Sequence, residues 1–112
     1  MIGSTDNIHP DLFDILRKLE AHMAFDLTIV SGHRDLAHNT AVGGVPNSEH
    51  TYDPAEGVDV LCRQSATRFT MVKWLLEHGV TRIGIGNSFL HIGIAKDKPG
   101  EVIWDYYVSA EV

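Results

Sequence analysis

Imidazole is the reactive group that this sequence holds in excess. Seven histidines stand beside a single cysteine, Cys62. No intramolecular disulfide can form, and zinc sites made of four cysteines, or of two cysteines and two histidines, are excluded. A metal centre must therefore use imidazole and carboxylate, and a catalytic one typically takes three protein ligands and leaves a position open for water. His50, Asp59 and His91 form a candidate set. The spacing H-x8-D is not diagnostic by itself. The alternative reading makes His91 a hydrogen-bonded core histidine and Asp59 a turn or salt-bridge residue.

The elements that must position these residues can be read from periodicity. Pro10 suits a first helical turn, and Leu12, Ile15, Leu16, Leu19 and Met23 recur at helical spacing, predicting a helix over 10–23. Leu27 to Val30 reads as a short β-run that ends at Ser31-Gly32. Residues 31–57 hold His33, Arg34, His38 and His50 among glycines and prolines, with one helical turn expected around Leu36 to Val42. Long irregular stretches in small domains are more often functional or disordered than idle. From Gly57 to Cys62 alternation returns, with Val58, Val60 and Cys62 on one face and Asp59 on the other. Cys62 reads as a buried small hydrophobe. Ser65 has the character of an N-cap for a second helix over 66–78, which Gly79 stops. Strands are predicted over Arg82–Gly86, Phe89–Ala95 and Val102–Val108, in succession and hence antiparallel. In the middle one His91 points away from Leu90, Ile92 and Ile94. Trp104 and Tyr106 share a face and are assigned to packing rather than to a cleft.

Composition limits the partners. The chain has 112 residues, 44% hydrophobic and 21% charged, enough for one domain over 1–112 and too few for two. The expected fold class is α+β, a small antiparallel sheet with two main helices. Fifteen acidic against nine basic residues give a net charge of -6, the wrong sign for nucleic acid or an anionic membrane surface. No apolar run approaches the roughly 18 residues that a spanning helix needs, and the N-terminus lacks a signal pattern. A soluble monomer with no export signal of its own is expected.

Several ordered motifs add to this reading. Ser31-Gly32-His33-Arg34, Ala37-His38-Asn39, Ala41-Val42-Gly43-Gly44-Val45-Pro46-Asn47-Ser48-Glu49-His50 and Gly57-Val58-Asp59-Val60 resemble the zinc peptidases of the M15 family. They are most similar to its small phage-type branch, with patterns of the form SGYR, HN, AVGGVPNSxH, AxDI and F-[IV]-H-V-D. Arg82 to Gly86, Phe89 to Ile92 and Lys98 to Trp104 continue the likeness, which spans roughly residues 28–107.

The resemblance implies a fold like that of the Hedgehog and D-Ala-D-Ala peptidases, Zn2+ as cofactor, and hydrolysis of stem peptides or cross-bridges of bacterial peptidoglycan. D-Ala-D-Ala carboxypeptidase or L-Ala-D-Glu endopeptidase activity would be typical, reached by phage delivery to the cell wall. The zinc ligands carry over to His50, Asp59 and His91. Arg34 matches the arginine of SGxR, expected to bind substrate or the oxyanion, and Ser48 is expected in the substrate-binding loop that presents His50. The chain departs from the pattern twice. His50 to Asp59 is nine positions instead of seven, which a turn absorbs without changing the face of Asp59 because two is the strand period. Gly93 stands where the branch has an acid after the last histidine, and Ser88 where other members have one before it. Glu56, with Asp53 and Glu49 as further candidates, is expected to replace that acid as general base. The competing reading is a zinc-bearing protein of impaired catalysis that binds wall peptides, or another partner, without cutting them.

Overall fold

The computed structural model describes residues 1–107. Among these the order of elements is β1 (Ile2–Gly3), α1 (Pro10–Met23), β2 (Thr28–Ser31), α2 (Leu36–Ala41), a 3-10 turn (Glu49–Thr51), β3 (Gly57–Leu61), α3 (Ser65–Glu77), β4 (Arg82–Ile85), β5 (Phe89–Gly93) and β6 (Val102–Asp105). The α+β class expected from the sequence holds. The helix predicted over 10–23 is α1, opened by Pro10 and by His9, whose Nδ1 accepts from the Asp11 N–H. It stops at Ala24, which turns left-handed at φ 60°. The second helix starts one residue earlier than expected. Ser65 is its first helical residue, and Gln64 takes the cap position without a side-chain bond.

One expectation is corrected: the sheet is mixed, not purely antiparallel. Its order is β1-β2-β3-β5-β4-β6. The three central pairings, β2 with β3, β3 with β5 and β5 with β4, are antiparallel, whereas β1 joins β2 and β6 joins β4 in parallel. The physical reason is that β5 already has β3 on one side and β4 on the other. The chain leaving β5 must pass around β4 to reach a free edge, and there it runs parallel to β4. The strand expected to run to Val108 is described only as far as Asp105, and Val108 lies outside the described residues.

Strand alternation gives the sheet two chemically different faces. Val58, Val60, Leu90, Ile92 and Ile83 are fully buried against Leu12, Leu16 and Leu19 of α1 and Met71 and Leu75 of α3. Cys62 is buried with them, as expected, and burial pushes its thiol pKa up. The opposite face carries a cross-strand row in which Ser31 pairs with Asp59, Asp59 with His91, His91 with Gly84, and Gly84 with Trp104. A second row beside it runs from Gly57 to Gly93, Arg82 and Val102. The hydrophobic face thus serves as a platform, and the polar face is what it holds in register.

Truncation within that platform and on the exposed surface should differ sharply. Ile92→Ala, at a fully buried position, is expected to cost about 2–5 kcal/mol. Leu36→Ala, at a position 72% exposed, should stay within about 0.5 kcal/mol. Urea unfolding of the metal-free protein measures both.

Candidate metal centre

Three segments deliver the polar cluster. Asp59 and His91 are direct cross-strand partners on β3 and β5, so the sheet brings their side chains side by side. His50 comes from the 3-10 turn, whose start is capped by Ser48: its Oγ accepts from the His50 N–H at 3.2 Å. The His50 carbonyl in turn accepts the Arg34 N–H at 2.8 Å, tying this turn to the loop after β2. The loop between His50 and Asp59 is pinned by an Ile8–Ala55 bridge and by a bond from Asn7 Nδ2 to Asp53, and Asp59 keeps its place on the site face.

The hydrogen bonds assign the tautomers. His50 Nδ1 lies 2.8 Å from the Gly32 carbonyl, an acceptor only, so Nδ1 carries the proton and Nε2 a lone pair. His91 Nε2 lies 3.0 Å from Glu49 Oε1, so in the neutral ring Nε2 carries the proton and Nδ1 the lone pair. These two lone pairs and Asp59 Oδ1 converge. His50 Nε2 is 3.2 Å from Asp59 Oδ1 and 3.2 Å from His91 Nδ1, and His91 Nδ1 is 3.0 Å from Asp59 Oδ1. All three residues are buried. Three acceptors held this close repel unless a proton or a cation sits among them. Two imidazoles and one carboxylate, with ligand atoms within 4.8 Å of one another, form a donor set that suits a divalent metal ion.

The ionisation states agree. Burial would raise the Asp59 carboxyl, but hydrogen bonds with His50 and His91 and their charges outweigh it and hold it at about 2. Burial would lower the His91 imidazole, yet bonds to Asp59 and Glu49 raise it above its ordinary value. In the absence of metal, the same surroundings favour the protonated form of His91.

Around the three donors, Arg34 donates from Nε to Ser31 Oγ at 3.0 Å, from Nη1 to Asn39 Oδ1 at 3.3 Å and from Nη2 to Asp59 Oδ2 at 3.5 Å. It therefore sits behind the outer oxygen of Asp59, fixed on two sides. Glu56 is not brought to the cluster. It shares the strand parity of Val58 rather than of Asp59, and lines a separate recess with His9, Tyr52 and Asp97. Asp53 is likewise remote, held by Asn7. The assignment of Trp104 and Tyr106 to packing is also corrected. Both line an open cleft of about 460 Å³ with Ser48, Glu49, Arg82 and His91. The Trp104 ring centroid is 5.5 Å from that of His91. Gly84 allows this, since a Cβ there would meet Trp104 Nε1 at 2.8 Å and Tyr106 Cε2 at 2.7 Å.

Two positioning residues escaped the sequence reading. Asn39, buried in α2, accepts from Arg34 and donates to the Val45 carbonyl at 2.9 Å. Its neighbour in the HN pair, His38, was the more conspicuous residue. Gly84 carried no signal beyond being a glycine within a strand.

Comparison with known proteins adds one match: the family model described as Peptidase M15 matches residues 2–94. No curated protein matches the chain.

One equivalent of Zn2+ or Co2+ per chain is expected to survive desalting, and to be absent from His50→Ala and His91→Ala, as read by elemental analysis. The pH dependence of stability should change sign with metal. A raised His91 pKa means that the imidazolium stabilises metal-free protein fully below the unfolded value of 6.5, and that this contribution is lost as pH rises through the folded value. Bound metal displaces that proton, so stabilisation by metal grows over the same window. Thermal melts on either side of it, with and without EDTA, test both slopes.

Proposed function

The chain belongs to the M15 peptidase family, and we propose that it is a zinc-dependent peptidase acting on stem peptides or cross-bridges of bacterial peptidoglycan. The observation that carries the metal part of this reading is the convergence of the His50 and His91 lone pairs on Asp59. His50, Asp59 and His91 would hold the ion, which supplies Lewis-acid polarisation of the peptide carbonyl and a bound water of lowered pKa.

The remaining roles belong to the chain's own residues. Three guanidinium N–H groups of Arg34 are committed to Ser31, Asn39 and Asp59. Of the five that an arginine carries, two are left for a substrate carboxylate or a developing oxyanion. Their direction is fixed in advance, which is what electrostatic stabilisation requires. Ser48 faces the same cleft while its Oγ caps the turn of His50. Trp104 and Tyr106 form an aromatic wall beside His91, suited to the apolar side of a short peptide. Peptidoglycan as substrate, and delivery to the wall from a phage, are inferred from the motif resemblance. Among the described residues no helix is long and apolar enough to cross a membrane.

A second reading, a metal-bearing protein that binds wall peptides without cutting them, is favoured by the position of the carboxylates. Gly93 offers none, Glu56 lines another recess, and Glu49 lies on the Nε2 edge of His91, opposite the Nδ1 edge that faces Asp59. Loss of general acid-base assistance typically slows a reaction roughly 10²- to 10⁴-fold.

The two readings separate in one experiment. Zinc-loaded protein is incubated for long periods with purified peptidoglycan fragments, beside EDTA-treated and His91→Ala controls, and the products are weighed by mass spectrometry. Zinc-dependent fragments, unchanged in Glu56→Gln, are expected, and their masses identify the scissile bond. Intact substrate in the presence of bound zinc would establish the binding reading instead.

A further inference from the structure

Glu49 is a second buried, fully engaged carboxylate beside Asp59, although it is not one of the three converging donors. Its Oε1 accepts from His91 Nε2 at 3.0 Å, and its Oε2 accepts from the Ala95 N–H at 3.0 Å. Arg82 Nε lies 3.1 Å from Oε2, close enough for an ion pair although its N–H is not aimed at the oxygen. The Glu49 side chain is 2% exposed. Burying a carboxylate is costly unless charge and hydrogen bonds offset it, and here they do. Glu49 thus presents two fixed acceptor oxygens, one to His91 Nε2 and one to the Ala95 N–H.

The space for this carboxylate is made by two glycines. Gly57 and Gly93 are cross-strand partners on β3 and β5, one step along from the pair Asp59 and His91 and on the same face. A Cβ on Gly93 would overlap both oxygens of Glu49. One on Gly57 would lie 2.6 Å from Glu49 Cβ and 2.7 Å from His91 Cε1. The paired glycines form a recess in the sheet, and the side chain of a loop residue fills it.

We infer that Glu49 is the positioning residue of the metal centre: from the recess over Gly57 and Gly93 it holds the proton of His91 on Nε2 and aims Nδ1 at His50 and Asp59. It stands in the volume that a side chain at position 93 would occupy, so the carboxylate missing from β5 is supplied from the turn. Arg82 supports this substitution, because it is the register partner of Gly93 on β4 and pairs with Glu49 across that vacant position. Glu49 does not act as the base. The two nitrogens of an imidazole point to opposite edges of the ring, so a carboxylate bound to Nε2 faces away from whatever Nδ1 holds. Partners of this kind fix the tautomer of a ligating histidine, and losing one typically costs about 10- to 100-fold in metal affinity.

The inference rests on the metal-site reading, and the test keeps the two apart. Zinc affinity is measured by chelator competition for the wild-type chain, Glu49→Ala, Glu49→Gln, Gly93→Asp and the double variant Glu49→Ala/Gly93→Asp. The tautomer of His91 is read from ¹⁵N shifts. Glu49→Ala is expected to lose about 10- to 100-fold in affinity and its Nε2–H preference. Gly93→Asp alone should also weaken binding, because two carboxylates contend for one recess. The double variant should recover affinity to within a few-fold, with the acid now opposite Arg82. If Glu49→Ala does not fold, Glu49→Gln serves in its place, with a smaller loss in the same direction. A folded Glu49 variant with wild-type zinc affinity and an unchanged His91 tautomer overturns the inference, as does a double variant no better than Glu49→Ala. Absence of zinc from the wild-type chain overturns the metal-site reading itself.

Discussion

Three lone pairs that point at one another are the constraint on which this structure turns. His50 Nε2, His91 Nδ1 and Asp59 Oδ1 are held within 3.2 Å of each other by groups that bind their far sides: the Gly32 carbonyl, Glu49 and Arg34. Such an arrangement repels itself when it holds neither a proton nor a cation. Its existence in a buried place means that the surrounding fold is built to tolerate a charge there. The hydrophobic face of the sheet supplies the rigidity, since Val58, Val60, Leu90 and Ile92 alternate with the site residues on the same two strands. A shift of register by one residue would exchange Asp59 and His91 with core positions, so apolar burial on one face fixes the chemistry on the other.

Much of this was legible in the sequence because it follows from period two. Alternation around Asp59 and His91 placed both on the polar face, and the two-residue lengthening between His50 and Asp59 left that face unchanged. Helix α1 was readable from its apolar spacing and from Pro10. The direction of the edge strands was not, because it depends on which sheet edges are free, a property of the assembled sheet and not of any segment. Trp104 was misassigned for a related reason. Its strand pairs with β4 only after β5 has been covered on both sides, and the glycine that makes room for its ring, Gly84, is distant in sequence.

The acid paired with His91 was the least legible feature. From the sequence, Glu49 beside His50 reads only as one of several candidates to replace the acid absent at Gly93. Nothing local marks it as buried. Its burial requires Gly57 and Gly93 to meet across two strands, and the guanidinium of Arg82 to arrive from a third. Glu56 was favoured for its place in the lengthened loop, yet strand parity turns it towards another recess.

Adjacent residues thus have opposite duties at one centre. His50 supplies a donor, while Glu49 orients the donor that β5 supplies, and a single 3-10 turn capped by Ser48 presents both. The order of that turn sets two of the three donor directions at once. Arg34 extends the linkage, since its backbone N–H binds His50 and its side chain binds Asp59 through a guanidinium steadied by Asn39 of α2. The irregular segment from Ser31 to Thr51 has few apolar anchors of its own: Val42 and Val45 are exposed, and Leu36 is more so. Its order must come from these polar ties. A cation drawn to the three donors therefore stabilises the segment as well as the site, and part of its binding free energy is folding free energy of the loop. The same coupling explains why a carboxylate carried by the turn differs from one carried by the strand. An acid on β5 would orient His91 whether or not the turn was formed, whereas Glu49 orients it only when His50 is also in place, so the two donors are assembled together.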